Sequence, residues 1–100
     1  MKVVFSNKKL EKLYETGSSS KYKVNQQIIE SFFEAISILE AARDIHDLWK
    51  RPSLKFKKYK TWYSLRVTLK WRLEINIKWE NQEKTIGQIQ IKELSNHYGD

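Results

Sequence analysis

The sequence contains no cysteine and few glycines, prolines and histidines. Its 100 residues include three Gly, one Pro and two His. Without cysteine, neither a disulfide framework nor a thiolate metal site can form. His46 and His97 lie too far apart to indicate a zinc site. No glycine-rich phosphate loop, serine elbow or paired-carboxylate motif is present. We therefore predict neither a cofactor nor a metal.

Long apolar runs are also missing. The opening Met-Lys-Val-Val-Phe is too short for a signal peptide, and no segment approaches the length of a membrane span. Hydrophobic residues at 40% and aromatic residues at 13% are nevertheless too many for a disordered tail. A chain of this length buries about two-thirds of its unfolded surface on folding. We expect residues 1–100 to form a single soluble domain in the cytoplasm.

Acidic residues are absent from residues 48–73, and this absence is the most informative one. The segment has nine basic residues, whereas the rest of the chain has ten basic and twelve acidic ones, so the net charge of +7 comes almost wholly from it. The nine are Lys50, Arg51, Lys55, Lys57, Lys58, Lys60, Arg66, Lys70 and Arg72. Tyr59, Trp62, Tyr63 and Trp71 lie among them.

Such a segment repels itself unless its charges face water or a polyanion, and aromatic rings offer surfaces on which bases can stack. Nucleic acid is therefore the first partner to consider. The alternative is a solvated basic face whose aromatic residues belong to the core.

Helical signals occupy the first half of the chain. Residues 2–5 are a short β-branched run that predicts a strand. Asn7 can cap a helix over residues 8–15, and Gly17 can end it. Asn25 then begins the strongest helix, whose apolar residues recur at steps of three and four. These residues are Ile28, Ile29, Phe32, Ala35, Ile36, Leu39 and Ala42, continued by Ile45, Leu48 and Trp49, with a break no later than Pro52.

The second half of the chain predicts strands. Apolar and polar residues alternate over residues 63–80, a run too long for one strand, so we place a turn at residues 68–70. Residues 81–83 make the next turn, and residues 85–92 form a further strand. The basic residues 54–60 supply another strand, at an edge of the sheet. The predicted fold is α+β, with two N-terminal helices packed on one face of a curved antiparallel β-sheet.

This arrangement predicts an exposed cationic surface. The odd-numbered apolar residues of the sheet must meet the long helix. Arg66, Lys70 and Arg72, with Ser64, would then project from the opposite face, which no helix covers. We expect the cations to gather on this single open face.

RNA cleavage is the chemistry that these residues permit. In the metal-independent route the ribose 2′-hydroxyl is the nucleophile. The protein supplies a proton acceptor, a cation for the phosphorane and a proton donor for the departing 5′-oxygen. Arginine suits the second role because its planar fork binds two phosphate oxygens. Arg72 is the best candidate, although an arginine that only solubilises the sheet fits the spacing nearly as well.

The remaining polar candidates have proton-transfer or structural roles. His97 can exchange a proton near neutral pH, and Tyr98 can stack on a base or donate a proton. A frayed C-terminus is the alternative for both. Glu93 could assist His97. His46 is better explained as a structural residue near a helix end.

Four segments resemble HigB-type toxins of the RelE superfamily, the plasmid maintenance killer group. They are residues 5–17 (Phe-Ser-Asn-Lys-Lys-Leu-Glu-Lys-Leu-Tyr-Glu-Thr-Gly), Leu54-Lys55, Tyr63-Ser64-Leu65-Arg66-Val67 and Trp71-Arg72-Leu73. The resemblance implies helices packed on a curved antiparallel sheet. It also implies the toxin half of a bacterial toxin–antitoxin pair, which cleaves mRNA, usually in the ribosomal A site.

The resemblance also implies site residues. Lys55 matches the lysine of a His-Pro-Leu-Lys-Gly segment, and Arg72 matches the arginine of a Trp-Arg pair implicated in phosphate contact. The chain departs from the family at Arg51-Pro52-Ser53, which lacks the histidine. It departs again at Glu93-Leu94-Ser95, which stands where Asp-Tyr-His is common. Either His97 and Tyr98 replace that triplet or the active site is rearranged.

The predicted site has two parts. The catalytic candidates are Arg72, Lys55, His97 and Tyr98. The candidates for RNA binding are Lys50, Arg51, Lys57, Lys58, Lys60, Arg66 and Lys70. A solvated lysine patch is the alternative for the second group.

Three functions remain open. The leading hypothesis is a ribosome-dependent mRNA endonuclease toxin, a metal-independent enzyme. The second is a gyrase-inhibiting toxin of the related ParE type, against which the surviving Lys55, Arg72 and His97-Tyr98 weigh modestly. The third is a non-catalytic nucleic-acid-binding module. For a toxin we expect mRNA and the ribosome as partners, and no membrane. We also expect a hetero-oligomer with a cognate antitoxin of helix-turn-helix type that buries part of the basic surface.

Overall fold

The computed structural model describes residues 1–19, 21–22 and 24–96. This part of the chain contains one mixed sheet and three helices. The helices are α1 (Lys8–Thr16), α2 (Gln26–Ala41) and α3 (Ile45–Trp49), followed by a 3₁₀ turn (Pro52–Leu54). The strands are β1 (Val3–Phe5), β2 (Lys57–Lys58), β3 (Tyr63–Arg66), β4 (Trp71–Trp79) and β5 (Gly87–Asn96). Their order in the sheet is β1-β5-β4-β3-β2. The predicted α+β fold is confirmed.

The first two helices begin at the predicted caps. The Asn7 side chain accepts a hydrogen bond from the Leu10 N–H at 3.1 Å, and the Asn25 side chain accepts one from the Ile28 N–H at 2.9 Å. Each asparagine thus satisfies a backbone donor that has no partner within its helix. Gly17 ends α1 in the left-handed conformation, with φ of 75°.

The predicted continuation of α2 to Trp49 is wrong. Ala42 leaves the helix with an extended backbone, and Asp44 starts α3 by accepting a hydrogen bond from the His46 N–H at 2.9 Å. The Ile45 N–H then donates to the Thr85 carbonyl at 2.8 Å, which ties α3 to the loop after β4. A local cap and a tertiary hydrogen bond therefore divide one apolar stripe into two helices.

The strand predictions are correct in place and less accurate in length. The turn between β3 and β4 lies where it was predicted, and β2 is an edge strand. It has only two residues, and Lys55, two residues before it, adopts a left-handed conformation with φ of 47°. β5 runs to Asn96 instead of ending at residue 92. β1 pairs with β5 in parallel, so the sheet is not wholly antiparallel.

The core lies between α2 and the sheet, as the alternation predicts. Phe32 and Leu39 of α2 are fully buried, and so are Leu73 and Ile75 of β4 and Ile89 of β5. These side chains belong to one apolar cluster, and it places the alternate polar residues of the strands on the other side of the sheet. Within the described ranges, no helix is long and apolar enough to cross a bilayer.

Candidate active site on the polar face of the sheet

The polar side chains of the three central strands share the face of the sheet opposite the core, here called the polar face. Successive residues of a strand point to opposite faces, and directly opposed residues on neighbouring strands share a face. Arg72 is opposed to Ser95, and Glu74 is opposed to both Ser64 and Glu93. The polar face therefore includes Ser64, Arg66, Arg72, Glu74, Asn76, Glu93 and Ser95.

Arg72 lies on this face but is not exposed. Its relative exposure is 5%, and its Nη1 donates a hydrogen bond to the Oγ of Ser64, itself buried, at 3.2 Å. The expectation of an exposed cation at this position is wrong. The physical reason is that β4 is the middle strand, with β3 and β5 on either side, and the guanidinium turns across β3 instead of towards water. A cation held in this way interacts more strongly with a bound anion, because water screens it less.

Two carboxylates lie beside Arg72. Glu74 and Glu93 are direct cross-strand neighbours, an arrangement that repels unless other groups stabilise the charges. The Ser95 hydroxyl donates to Glu74 Oε2 at 2.8 Å. Glu93 Oε1 accepts hydrogen bonds from the Leu94 N–H, at 3.0 Å, and from the Tyr22 hydroxyl. Carboxylates and a guanidinium thus occupy adjacent residue pairs of one strand ladder.

Tyr22 reaches the polar face from the segment between α1 and α2. Its side chain is buried, with a relative exposure of 6%. Burial, together with the hydrogen bond to Glu93 and the negative charge of that residue, raises the pKa of Tyr22 to about 12. The phenol therefore keeps its proton over the physiological range and acts as a hydrogen-bond donor.

A β-bulge brings two consecutive residues of β5 to the same groove. The pairing of β4 with β5 shifts between Glu74 and Ile75, which leaves Lys92 as the extra residue on β5. Lys92 and Glu93 both line a groove of about 380 Å³, together with Thr61, Trp62, Glu74 and Asn76. Bulges often re-aim side chains in this way beside functional sites.

An aromatic pair borders the groove. The rings of Tyr59 and Trp62 stack with centroids 4.2 Å apart and planes 12° apart. The turn that carries them is closed by a hydrogen bond from the Tyr59 N–H to the Trp62 carbonyl at 2.8 Å. Tyr59 is 38% exposed, so the pair presents a flat surface of the kind on which nucleobases stack.

The predicted cations do not gather on one face, and that expectation is wrong. Lys57 is opposed to Ser64 and therefore belongs to the polar side. Lys50 and Arg51, in contrast, line a groove of about 320 Å³ with Ile38 of α2. Arg66 is opposed to Arg72 and belongs to the polar side by register, but it also borders a groove that includes Ile38. The reason is that α3 and the 3₁₀ turn carry part of the basic segment into the helical layer.

The remaining predicted residues are exposed on the edge strand and in turns, or lie outside the described residues. Lys55 is exposed at the end of the 3₁₀ turn, before β2 begins. Lys58, Lys60 and Lys70 are exposed on the edge strand and in turns. The candidates His97 and Tyr98 fall outside the described residues, and their roles stay predictions.

Sequence reasoning missed most of the residues that surround Glu93. Tyr22 and Lys21 lie in an irregular segment, and no periodicity links them to Glu93, which is 71 residues after Tyr22. The Lys21 Nζ nevertheless lies 3.6 Å from Glu93 Oε2. Glu74 could have been found, because it occupies an even position in the alternating run that also contains Arg72.

The fold is similar to that of a solved structure described as a YoeB/ParE toxin from Agrobacterium tumefaciens. The TM-score is 0.56 at 15% sequence identity, and the match covers 98% of this chain and 100% of the other. Identity at this level shows the fold alone. The molecule therefore has a RelE/YoeB-like toxin fold. No curated protein matches the chain.

A family model gives the identification. The model of the family described as "RelE-like toxin of type II toxin-antitoxin system HigB" matches residues 3–89. The chain belongs to this HigB-like toxin family, as the sequence resemblance predicted. As the toxin of a type II system, it has a cognate antitoxin as its partner.

Proposed function

We propose that this toxin is an endoribonuclease that cuts mRNA on the ribosome and thereby stops translation and growth. Toxins of the HigB, RelE and YoeB type are generally RNases. The observation that carries the proposal is the position of Arg72, a buried guanidinium held by Ser64 beside two carboxylates on the polar face. This arrangement provides a cation for the phosphorane and a proton acceptor without requiring a metal.

The cleavage step follows from these groups. Glu93 accepts the proton of the ribose 2′-hydroxyl, and the 2′-oxygen attacks the adjacent phosphorus. Arg72 stabilises the charge on the phosphoryl oxygens. The bond from phosphorus to the 5′-oxygen breaks, leaving a 2′,3′-cyclic phosphate, and the 5′-oxygen takes up a proton. We assign the donation of that proton to His97 or Tyr98, with Lys55 supplying charge, as the sequence predicts.

The division of the cations between two sides gives them separate roles. Lys57 and Lys60 are close in sequence to the stacked pair of Tyr59 and Trp62, and there they can hold the backbone of a single strand whose base stacks on the rings. Lys58 is opposed to the buried Tyr63 and so belongs to the other side of the sheet. The cations of the helical layer and the β3–β4 hairpin form a second group. We propose that Lys50, Arg51, Arg66 and Lys70 bind ribosomal RNA.

Substitution of Arg72 tests the function. We expect Arg72→Ala to lower the rate of cleavage of ribosome-bound mRNA by at least about 100-fold, because the negative charge on the phosphoryl oxygens in the transition state is no longer stabilised by the guanidinium. Arg72→Lys should recover only part of the rate, since an ammonium lacks the planar fork. Primer extension on mRNA, in cells and with purified ribosomes, measures the cuts.

The matched control is Lys12→Ala, which also removes one positive charge but from the exposed side of α1. It should cut as the wild type does. Codon-related cuts that persist unchanged in Arg72→Ala would show that the polar face is not the active site.

Gyrase inhibition is the second candidate function. It is favoured by the replacement of family residues at Arg51-Pro52-Ser53 and Glu93-Leu94-Ser95. A supercoiling assay with purified gyrase separates the two functions. Inhibition of gyrase by a protein that leaves ribosome-bound mRNA intact would establish the second function and reject the first.

We further propose that the antitoxin is a small helix-turn-helix protein that forms a tight stoichiometric complex with this toxin in the cytoplasm. The net charge of +7 on the chain favours an acidic segment or helix as the inhibitory element. Mixing the purified toxin with the product of the adjacent reading frame, followed by size-exclusion chromatography, tests this. A toxin that elutes unchanged would contradict it.

A further inference from the structure

Three donors hold the carboxylate of Glu93, and they come from two distant parts of the chain. The Tyr22 hydroxyl and the Leu94 N–H both donate to Oε1. The Lys21 Nζ lies 3.6 Å from Oε2. Tyr22 is separated from Glu93 by 71 residues, so the contact is made only in the folded molecule.

Asn7 fixes the Tyr22 hydroxyl in turn. The Asn7 Nδ2 donates to the Tyr22 oxygen at 3.0 Å and to the Lys92 carbonyl at 3.1 Å. Because the phenol oxygen already accepts this hydrogen bond, its own proton points to Glu93. One asparagine thus connects the start of α1, the α1–α2 segment and the bulge of β5.

The same residues border open space. A cavity of about 490 Å³ lies next to the pair and is lined by Lys21, Tyr22, Trp71, Glu93 and neighbouring residues of β5. Glu93 also lines the groove beside Trp62. Its carboxylate is therefore held from one side and remains accessible from the other, as a group that accepts a proton from a bound ribose requires.

We propose that Tyr22 is a positioning residue for the cleavage reaction. Its hydroxyl holds Glu93 in the orientation in which the carboxylate accepts the 2′-hydroxyl proton, and Lys21 assists Tyr22 in this role. This inference rests on the proposed endoribonuclease function. Tyr22 lies outside the four segments that carry the sequence resemblance. It compensates for the absence of the Asp-Tyr-His triplet by supplying a phenol from a different part of the fold.

Steady-state kinetics of Tyr22→Phe on ribosome-bound mRNA tests the inference. The substitution keeps the ring that packs in the core and removes only the hydroxyl. We expect kcat to fall about tenfold, which corresponds to one hydrogen bond to a charged group, with KM unchanged. Tyr14→Phe is the matched control, since it removes a hydroxyl from a half-buried tyrosine outside the site, and it should leave kcat within about twofold.

The same substitution made in a Glu93→Gln protein separates a positioning role of Tyr22 from a general effect on the structure. In Glu93→Gln, where Arg72 still supports residual cleavage, Tyr22→Phe should cause no further loss, because there is no carboxylate to orient. Should Tyr22→Phe fail to fold, Lys21→Gln replaces it. This change lies at an exposed position and should lower kcat about threefold with KM unchanged.

The outcomes distinguish the inference from the function on which it rests. A Tyr22→Phe protein with normal kcat, alongside an impaired Glu93→Gln protein, would overturn the role of Tyr22 and leave the endonuclease in place. An equal loss of kcat in both backgrounds would show that Tyr22 only stabilises the fold. A folded wild-type protein that cuts no mRNA would remove the proposed function and this inference together.

Discussion

Arg72 illustrates how a single charged residue can be accommodated inside a small sheet. Burial of an unpaired charge is costly, so a buried guanidinium needs hydrogen-bond acceptors around it. Ser64, a small residue on the neighbouring strand, both leaves room for the group and accepts one of its hydrogen bonds. The arginine therefore has its orientation set before any substrate binds, which is what electrostatic catalysis requires.

At Gly87 the neighbouring strand β4 approaches so closely that a side chain would clash with it. A Cβ atom at this position would lie 2.6 Å from the Lys78 carbonyl oxygen and 2.7 Å from the Ile77 Cγ2 on β4. We predict that Gly87→Ala lowers the free energy of unfolding by about 1–3 kcal/mol, because β4 or β5 must shift. Urea unfolding followed by circular dichroism measures the loss.

Gly17→Asn is the control for this prediction. Gly17 has a positive φ but open space around its Cα, and asparagine tolerates the left-handed conformation. Gly17→Asn should lower the free energy of unfolding by well under half as much as Gly87→Ala does. Equal losses at the two positions would mean that crowding against β4 is not the cause.

At the scale of elements, the bulge in β5 builds one side of the site. Ile91 and Leu94 are both buried although they are three residues apart, so the strict alternation of the strand is broken between them. The extra residue lets Lys92 and Glu93 both line the groove on the polar side. A regular strand would point one of these two side chains into the core.

The start of α1 is coupled to the same region through Asn7. We predict that Asn7→Ala destabilises the protein by about 2 kcal/mol, since it removes the helix cap and two further hydrogen bonds. Asn25→Ala removes the cap of α2 alone and should cost about 1 kcal/mol. Chemical denaturation of both variants measures the difference. Equal losses would mean that the contacts of Asn7 with Tyr22 and Lys92 add nothing to stability.

At the scale of the whole molecule, the positive charge is distributed over two surfaces. Lys57 shares the polar side with Ser64, whereas Lys50 and Arg51 lie in the helical layer beside α2. A strand of mRNA and a larger nucleic-acid partner could therefore be bound at the same time. A single continuous basic face would make the two compete.

The salt dependence of RNA binding tests this distribution. For a short single strand with 2′-O-methyl groups, which cannot be cut, log Kd should rise linearly with log salt concentration. Lys57→Ala should reduce the slope by about 0.7, the value for one phosphate contact to a single strand. Fluorescence anisotropy measures the slope. Lys12→Ala should leave it unchanged, and an equal reduction by this variant would show that the RNA has no defined path.

The sequence was a good guide to local structure and a poor guide to the surroundings of the site. Asn7, Gly17 and Asn25 predicted the helix boundaries because caps act within a few residues. The end of α2 was not predictable in the same way, since a hydrogen bond between Ile45 and Thr85 contributes to it. The face on which Arg72 lies followed from the alternation, whereas its burial depends on neighbours from two other strands.

The sequence by itself determined the starts of the first two helices, the apolar face of the sheet and the toxin family, because each is encoded by spacing or by contiguous segments. Only the tertiary structure decided that Arg72 is buried against Ser64, that the cations divide between two surfaces and that Tyr22 holds Glu93. These are contacts between residues far apart in the chain. Their geometry is set by strand order, register and one bulge, and no local pattern of residues specifies it.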